Sequence, residues 1–117
     1  MASAESIVYG ALRSLASDRV YPDVAPPGVV RPYFTYQAVG GEDANALGGP
    51  ADLQNARMQI NAWADTRAEA VSMMRAAYGA LTGDAIKAVP IGASASTYEA
   101  DTKLYGSRLD FSLWFLP

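Results

Sequence analysis

The sequence predicts an α+β fold in which two helices pack on one face of an antiparallel four-stranded sheet, in the order αββαββ. Residues 55–64 alternate small or apolar with polar side chains, which is typical of a half-buried strand. Residues 66–83, which follow directly, space their apolar side chains by three and four, which is typical of an amphipathic helix. Residues 90–115 predict a closing hairpin. Strands and helices in this order favour the α+β class.

The N-terminal region predicts one helix followed by an extended arm. Residues 4–16 have Ser3 as a candidate N-cap and an apolar stripe of Ile7, Val8, Ala11, Leu12 and Leu15. Residues 17–31 contain three prolines, which lack an amide donor, so we expect an extended arm there rather than a regular element. Within the arm, only Arg19 to Tyr21 could pair as a short strand.

Two segments of contrasting composition come next. Residues 32–39 are rich in aromatic and β-branched side chains and alternate, so they predict the first full strand. Residues 40–54 contain two glycine pairs, a proline and several acidic residues. Because the segment shows neither the helical nor the strand periodicity of apolar residues, we expect a long mobile connection. Connections of this kind are either functional or merely flexible, and the candidate contacts to a partner or a lumen are Glu42, Asp43 and Asp52.

The strand and helix over residues 55–81 are the best-patterned part of the chain. One side of the strand is expected to face the core, with Ala56, Met58, Ile60, Ala62 and Ala64. Thr66 and Glu69 predict a capping box at the start of the helix, and Gly83 ends it. The expected buried stripe of the helix comprises Ala70, Val71, Met74, Ala77, Tyr78 and Leu81.

The predicted hairpin has two unlike arms joined by a turn at residues 101–103. The first arm, residues 90–100, is small and polar, which suits a sheet edge or a contact with a neighbouring subunit. The second arm, residues 105–115, alternates strictly, so we expect it to be central or well covered. The expected core then places Phe34, Tyr36, Met58, Ile60, Phe111 and Leu113 against Val8, Leu12, Leu15, Val71, Met74 and Tyr78.

Composition limits the number of domains and the classes of function. With 117 residues at 50% hydrophobic content, we expect a single domain over residues 1–117. A net charge of −3 without a Lys/Arg cluster argues against a nucleic-acid reader. The sequence has no Cys and no His, which removes disulfides and the commonest general base and metal ligand. Without a signal peptide or a membrane-spanning apolar run, we expect a protein made and kept in a cytoplasm.

Motifs that carry chemistry are weak. The glycine pairs at 40–41 and 48–49 are not followed by the Lys-Ser/Thr of a phosphate-binding loop. The acidic residues between 42 and 52 do not follow the oxygen spacing of a calcium loop. Arg57 and Asp110 could pair across strands as a structural ion pair. We therefore expect no catalytic residue, no metal site and no cofactor.

The second face of the predicted sheet is polar but carries two tryptophans, and no element of the chain is expected to cover it. Trp63 and Trp114 either lie at strand ends under a loop or anchor contacts between subunits, where Trp and Arg are enriched. The second interpretation makes the following residues candidates for an oligomer interface: Arg57, Gln59, Trp63, Arg108 and Trp114. This assignment depends on strand phase, because a shift of one residue exchanges the two faces.

Four segments together resemble a known family. They are YGALRSL in the first helix, RVYPDVAPPGVVRPYFTYQ in the arm and first strand, ARMQINAWADTRAEA at the strand–helix junction, and the closing RLDFSLWF. In this order and spacing they are similar to the small tail completion or tail terminator proteins of long-tailed bacteriophages and gene transfer agents. The resemblance covers most of the chain, and its strongest parts are residues 19–36 and 58–64.

The resemblance implies a lambda-type terminator fold and a structural protein of the virion tail, not an enzyme. It implies a homo-oligomer, expected as a hexameric ring, that caps the tail tube and joins it to the head connector or stopper protein. DNA would only pass through the lumen, and neither specific nucleic-acid binding nor a membrane is implied. Assembly would take place in the host cytoplasm. No catalytic residues come with the family.

Two other functions are compatible with the residues. One is a small enzyme or ligand-binding domain that uses Tyr, Arg and carboxylate groups in a pocket between sheet and helices. The other is a tail-assembly chaperone, which would be absent from the finished particle.

Overall fold

A computed structural model describes residues 3–42 and 53–117. The two helices are α1 (Ala4–Leu12), followed by a 3₁₀ turn at Arg13–Leu15, and α2 (Arg67–Thr82). The strands are β1 (Val20–Pro22), β2 (Tyr33–Ala38), β3 (Gln54–Ala64), β4 (Val89–Glu99) and β5 (Leu104–Phe115). They form one sheet in the order β1-β2-β3-β5-β4. The α+β class is confirmed, whereas the prediction of four antiparallel strands is wrong because a fifth strand is present.

That additional strand makes the sheet mixed. β1 pairs in parallel with β2, and its Val20 lies opposite Phe34 and is buried with it in the core. The other three pairings are antiparallel. Parallel neighbours cannot be joined by a tight turn, so the chain needs a crossover connection between them. Residues 23–31 provide it, and we call this segment the crossover.

β3 and β5 lie inside the sheet, which confirms the prediction that the strand over residues 105–115 is central or well covered. They pair along their whole length, with Met58 opposite Phe111 and Ile60 opposite Leu109. Every residue of β3 that was expected to face inward is buried: Ala56, Met58, Ile60, Ala62 and Ala64. The strand phase is therefore confirmed, and with it the identity of the two sheet faces.

The start of α1 is confirmed and its end is not. Ser3 caps the helix, because its side chain accepts from the Ser6 amide while the Ser6 side chain reaches back to the Ser3 backbone. The helix ends at Leu12 and continues as a 3₁₀ turn, which has a different angle per residue. Leu15 is consequently 38% exposed, so its expected place in the core is wrong.

α2 is rotated relative to the expected orientation. Its buried residues are Ala70, Met73, Met74, Ala77 and Leu81. Val71 is 38% exposed and Tyr78 45% exposed, so their expected core positions are wrong. The helix packs against α1 as well as against β3 and β5, and its buried residues include two alanines. Thr66 accepts from the Glu69 amide at 3.1 Å, which confirms one half of the predicted capping box.

Candidate interaction surfaces

The face of the sheet opposite the helices, which we call the outer face, carries polar rows across three strands. One row aligns Gln37 of β2, Gln59 of β3 and Asp110 of β5. The next aligns Thr35, Asn61 and Arg108 in the same way. Because these side chains are amides, hydroxyls and charges of both signs, the surface favours hydrogen bonding over apolar contact.

The crossover covers part of the outer face, which corrects the expectation that no element lies over it. Crossover residues and the polar rows together line a cleft of about 480 Å³. Arg31 fixes the end of the crossover, since its Nη1 lies 2.9 Å from Oδ1 of Asp65 and its Nη2 donates to the carbonyl of Thr102 at 2.8 Å. Asp65 directly follows β3, and Thr102 lies in the turn between β4 and β5.

Trp63 lies at this covered end of the sheet and is held by its own subunit. Its indole Nε1–H donates to the Thr35 hydroxyl at 3.1 Å. Its ring packs over Gly106, where an added Cβ would lie 2.8 Å from Cζ3 of Trp63. The position of Trp63 thus matches the interpretation of a tryptophan at a strand end beneath a loop.

Tyr33 also lines the cleft, and burial raises the pKa of its phenol above the ordinary value, with a smaller contribution from Glu99. The phenol therefore stays neutral at physiological pH and can both donate and accept a hydrogen bond. Tyr33 also meets Tyr21 of β1 edge to face, with 6.1 Å between the ring centroids. The tyrosine pair links β1 to the floor of the cleft.

The other end of the outer face is more open. Arg57 lies there, with its Nε 2.8 Å from Oδ2 of Asp110, so the predicted cross-strand ion pair is confirmed. Trp114 is half-buried opposite Asn55, whose amide donates to the Ser112 hydroxyl at 2.9 Å. Of the five candidate interface residues, Trp63 is thus separated from Arg57 and Trp114 by the length of β3, with Gln59 and Arg108 between them.

The predicted acidic loop is described only at its start. Glu42 is exposed, and its amide donates to Oδ1 of Asn55 at 2.9 Å. Asp43 and Asp52 lie outside the described residues. Glu42 is therefore the one member of the predicted set that the structure places, beside the open end of the outer face.

A further surface on the helix side was not anticipated from the sequence. A groove of about 330 Å³ separates α2 from β4, and we call it the α2–β4 groove. Val71, Met74 and Tyr78 form its helix wall, and residues 92–94 form the other wall. No local pattern indicates this groove, because the apolar side chains of α2 cover a wide arc that allows several rotations about the helix axis.

β4 borders this groove and forms one edge of the sheet, as its composition predicts. It is 11 residues long and pairs only with β5 among the described strands. Its register shifts between Ile91 and Ala95, and Gly92 adopts a φ of +79° within this bulge. Residues 89–98 carry no charged side chain. The strand thus presents a long, neutral edge.

Neither a metal-binding cluster nor a membrane-spanning helix is found among the described residues. Across residues 3–42 and 53–117, no three His, Cys, Asp or Glu side chains converge in a way that could hold a metal ion. In the same part of the chain, no helix is both long and apolar enough to cross a bilayer. The candidate interaction surfaces are the outer face, the crossover, the α2–β4 groove and the β4 edge.

Comparison with known proteins identifies the family of the chain. The sequence model of the family described as tail completion protein gp17 matches residues 8–116, which is nearly the whole chain. No curated protein matches the chain. The family match confirms the resemblance carried by the four sequence segments, and it implies a structural component of the phage virion tail that interacts with tail or head components. The chain therefore belongs to the tail completion protein gp17 family of bacteriophages.

Proposed function

We propose that this protein is a tail terminator that forms a hexameric ring, caps the finished tail tube and joins it to the head connector. The observation that carries the proposal is the neutral edge of β4 in a member of a tail completion family. Proteins that act as monomers protect long edge strands with charges, prolines or covering loops. β4 carries Pro90 near its start, the bulge between Ile91 and Ala95, and Glu99 at its end, and the uncharged residues 95–98 leave part of its edge open to a neighbouring subunit.

The two edges of the sheet are unlike each other. β1 at the opposite edge has three residues and ends in Pro22, so it offers few free backbone groups. A contact between unlike patches on successive subunits is heterologous, and such contacts generate rings when the rotation closes. A ring therefore requires the β4 edge to meet a different patch of the next subunit, whereas two β4 edges paired with each other would give a two-fold dimer.

The open part of the outer face is proposed as an additional contact surface. Trp114 and Arg57 combine an aromatic side chain with a cation, which is the composition enriched at interface anchors. Trp63, Gln59 and Arg108 would support this surface from the covered end. Glu42, together with Asp43 and Asp52, would face the lumen or the tail tube. With a net charge of −3, a lumen of this kind would let DNA pass without adhering.

Oligomer size tests the proposal directly. Size-exclusion chromatography with light scattering, run over a range of concentrations, is expected to show a species of six times the 12.4 kDa subunit mass. Negative-stain electron microscopy should show that species as rings with an open centre. A strictly monomeric protein at every concentration would contradict the ring.

Location in the particle separates a terminator from an assembly chaperone. A terminator assembled in the host cytoplasm stays in the virion at the head–tail junction, so mass spectrometry of purified virions should detect this chain at ring stoichiometry. A chaperone would be abundant in infected cells and missing from the particles.

A further inference from the structure

The α2–β4 groove has the chemistry of a site for an extended apolar segment. Its helix wall offers Val71, Met74 and the ring of Tyr78, and Arg75 stands beside them. Arg75 has no ion-pair partner within residues 3–42 and 53–117. Aromatic-lined grooves commonly bind proline-rich extended segments, whose limited conformational freedom lowers the cost of ordering. A segment with an adjacent carboxylate would also satisfy Arg75.

The crossover of the same chain has these properties, in exposed residues most of which also line the cleft over the outer face. Val24 is 79% exposed and Val30 66% exposed, and the two prolines between them are exposed as well. Ala25 and Val29 are half-buried towards the sheet, so the crossover keeps its place while presenting the other side chains. Asp23 precedes this apolar stretch and is itself without an ion-pair partner in the described part of the chain.

We propose that the crossover of one subunit docks into the α2–β4 groove of the next copy of this chain, with Asp23 meeting Arg75. The inference rests on the proposed ring and names its contact. The crossover lies over the outer face, whereas the groove lies on the helix side between α2 and β4, so the two patches are different and lie on opposite sides of the sheet. That placement is what a heterologous contact requires, because each subunit then gives one patch and receives the other.

Cross-linking tests the contact, since the chain contains no cysteine of its own. Val24→Cys places a thiol on the crossover, and Ala93→Cys places one on the exposed wall of the groove. With a short bismaleimide, the double variant is expected to give a ladder from dimer up to the complete ring on a denaturing gel. A mixture of the two single variants should give only covalent dimers, and each single variant alone should stay uncross-linked.

A matched control uses Ala76→Cys in place of Ala93→Cys. Ala76 is exposed on α2 but does not line the groove, so its combination with Val24→Cys should not cross-link. A ring that is seen by light scattering but gives no cross-link between positions 24 and 93 would overturn the contact and leave the ring intact. Covalent dimers from Ala93→Cys alone would indicate two-fold pairing of β4 edges and overturn the heterologous arrangement.

A charge substitution gives a second readout that does not depend on cross-linker reach. Val24→Asp should leave the subunit folded, because Val24 is exposed, and should weaken assembly about tenfold or more by placing a second carboxylate in an apolar groove. Ser14→Asp, also on an exposed position, is the control and should assemble normally. Normal rings from Val24→Asp would overturn the proposed docking, and an absence of oligomer in the unmodified protein would overturn the ring itself.

Discussion

Gly106 shows how one residue fixes the covered end of the outer face. A Cβ added there would lie 2.5 Å from Oγ1 of Thr97 and 2.8 Å from the Trp63 ring, so one of them must move. Gly106→Ala should therefore lower the free energy of unfolding by about 1 to 3 kcal/mol, as overpacking does. Chemical denaturation followed by tryptophan fluorescence measures both this loss and any displacement of Trp63.

Gly10 is the matched control for this substitution. It lies inside α1, and a Cβ at this position would meet nothing within 4 Å. Gly10→Ala should leave stability unchanged or raise it by about 0.5 to 1 kcal/mol, since alanine is the better helix former. Equal stability losses at both glycines would contradict the packing of Trp63 on Gly106.

Ile60 tests the core at the scale of one side chain. It is fully buried at the centre of β3, opposite Leu109 on β5 and Tyr36 on β2. Ile60→Ala should reduce the free energy of unfolding by about 2 to 5 kcal/mol through the lost transfer energy and the cavity left behind. Ser72→Ala, on an exposed position of α2, should change it little in the same denaturation experiment. A small loss at Ile60 would mean that the strand phase is wrong.

At the scale of elements, the strands were more predictable than the helices. β3 and β5 alternate with a period of two, so a single strong phase determines which side chains are buried. α2 has apolar side chains over a wide arc, and its sequence therefore allows several rotations about the helix axis. Packing against α1 and the sheet selects the one that buries Met73 and exposes Val71 and Tyr78. That choice depends on contacts between elements, which local patterns do not encode.

The open end of β5 makes a prediction about assembly. Trp114 is half-buried and far from the crossover, and we propose it as an interface anchor. Trp114→Ala should leave the circular dichroism spectrum of the subunit native and weaken ring formation by about 2 kcal/mol or more. Light scattering over a dilution series measures the weakening. Loss of native circular dichroism would instead place Trp114 among the residues that hold the fold.

Across the whole molecule, the sequence predicted the family and the polar face but not how the arm is used. β1 is three residues long, and its parallel pairing with β2 depends on long-range contacts that leave no local period. The crossover that this pairing requires passes over the outer face, and it covers Trp63 while leaving Trp114 open. Three of the five expected interface residues, Gln59, Trp63 and Arg108, thereby line the cleft within the subunit. The α2–β4 groove was missed because it depends on the rotation of α2 about its axis, which leaves Val71 and Tyr78 outside the core.

Arg31 connects the crossover to the end of β3 and to the β4–β5 turn, and this gives a prediction for the molecule as a whole. Arg31→Ala removes the contacts to Asp65 and Thr102 that hold the end of the crossover. Because both contacts are exposed, global stability should fall by less than about 1 kcal/mol. Amide hydrogen exchange in residues 24–31 should nevertheless rise, because the crossover loses its attachment to β3 and the hairpin. If the crossover is the docking segment, the variant should also form rings more weakly.

Arg13→Ala provides the comparison, since it breaks the similarly exposed ion pair with Asp18, in which Nε and Oδ1 are 2.9 Å apart. That pair is local and does not touch the crossover, so exchange in residues 24–31 should stay as in the unmodified protein. Mass spectrometry of exchanged peptides compares the two variants in one experiment. Unchanged exchange in Arg31→Ala would show that backbone contacts alone, such as the Asp23 amide to the Tyr36 carbonyl at 2.8 Å, hold the crossover on the sheet.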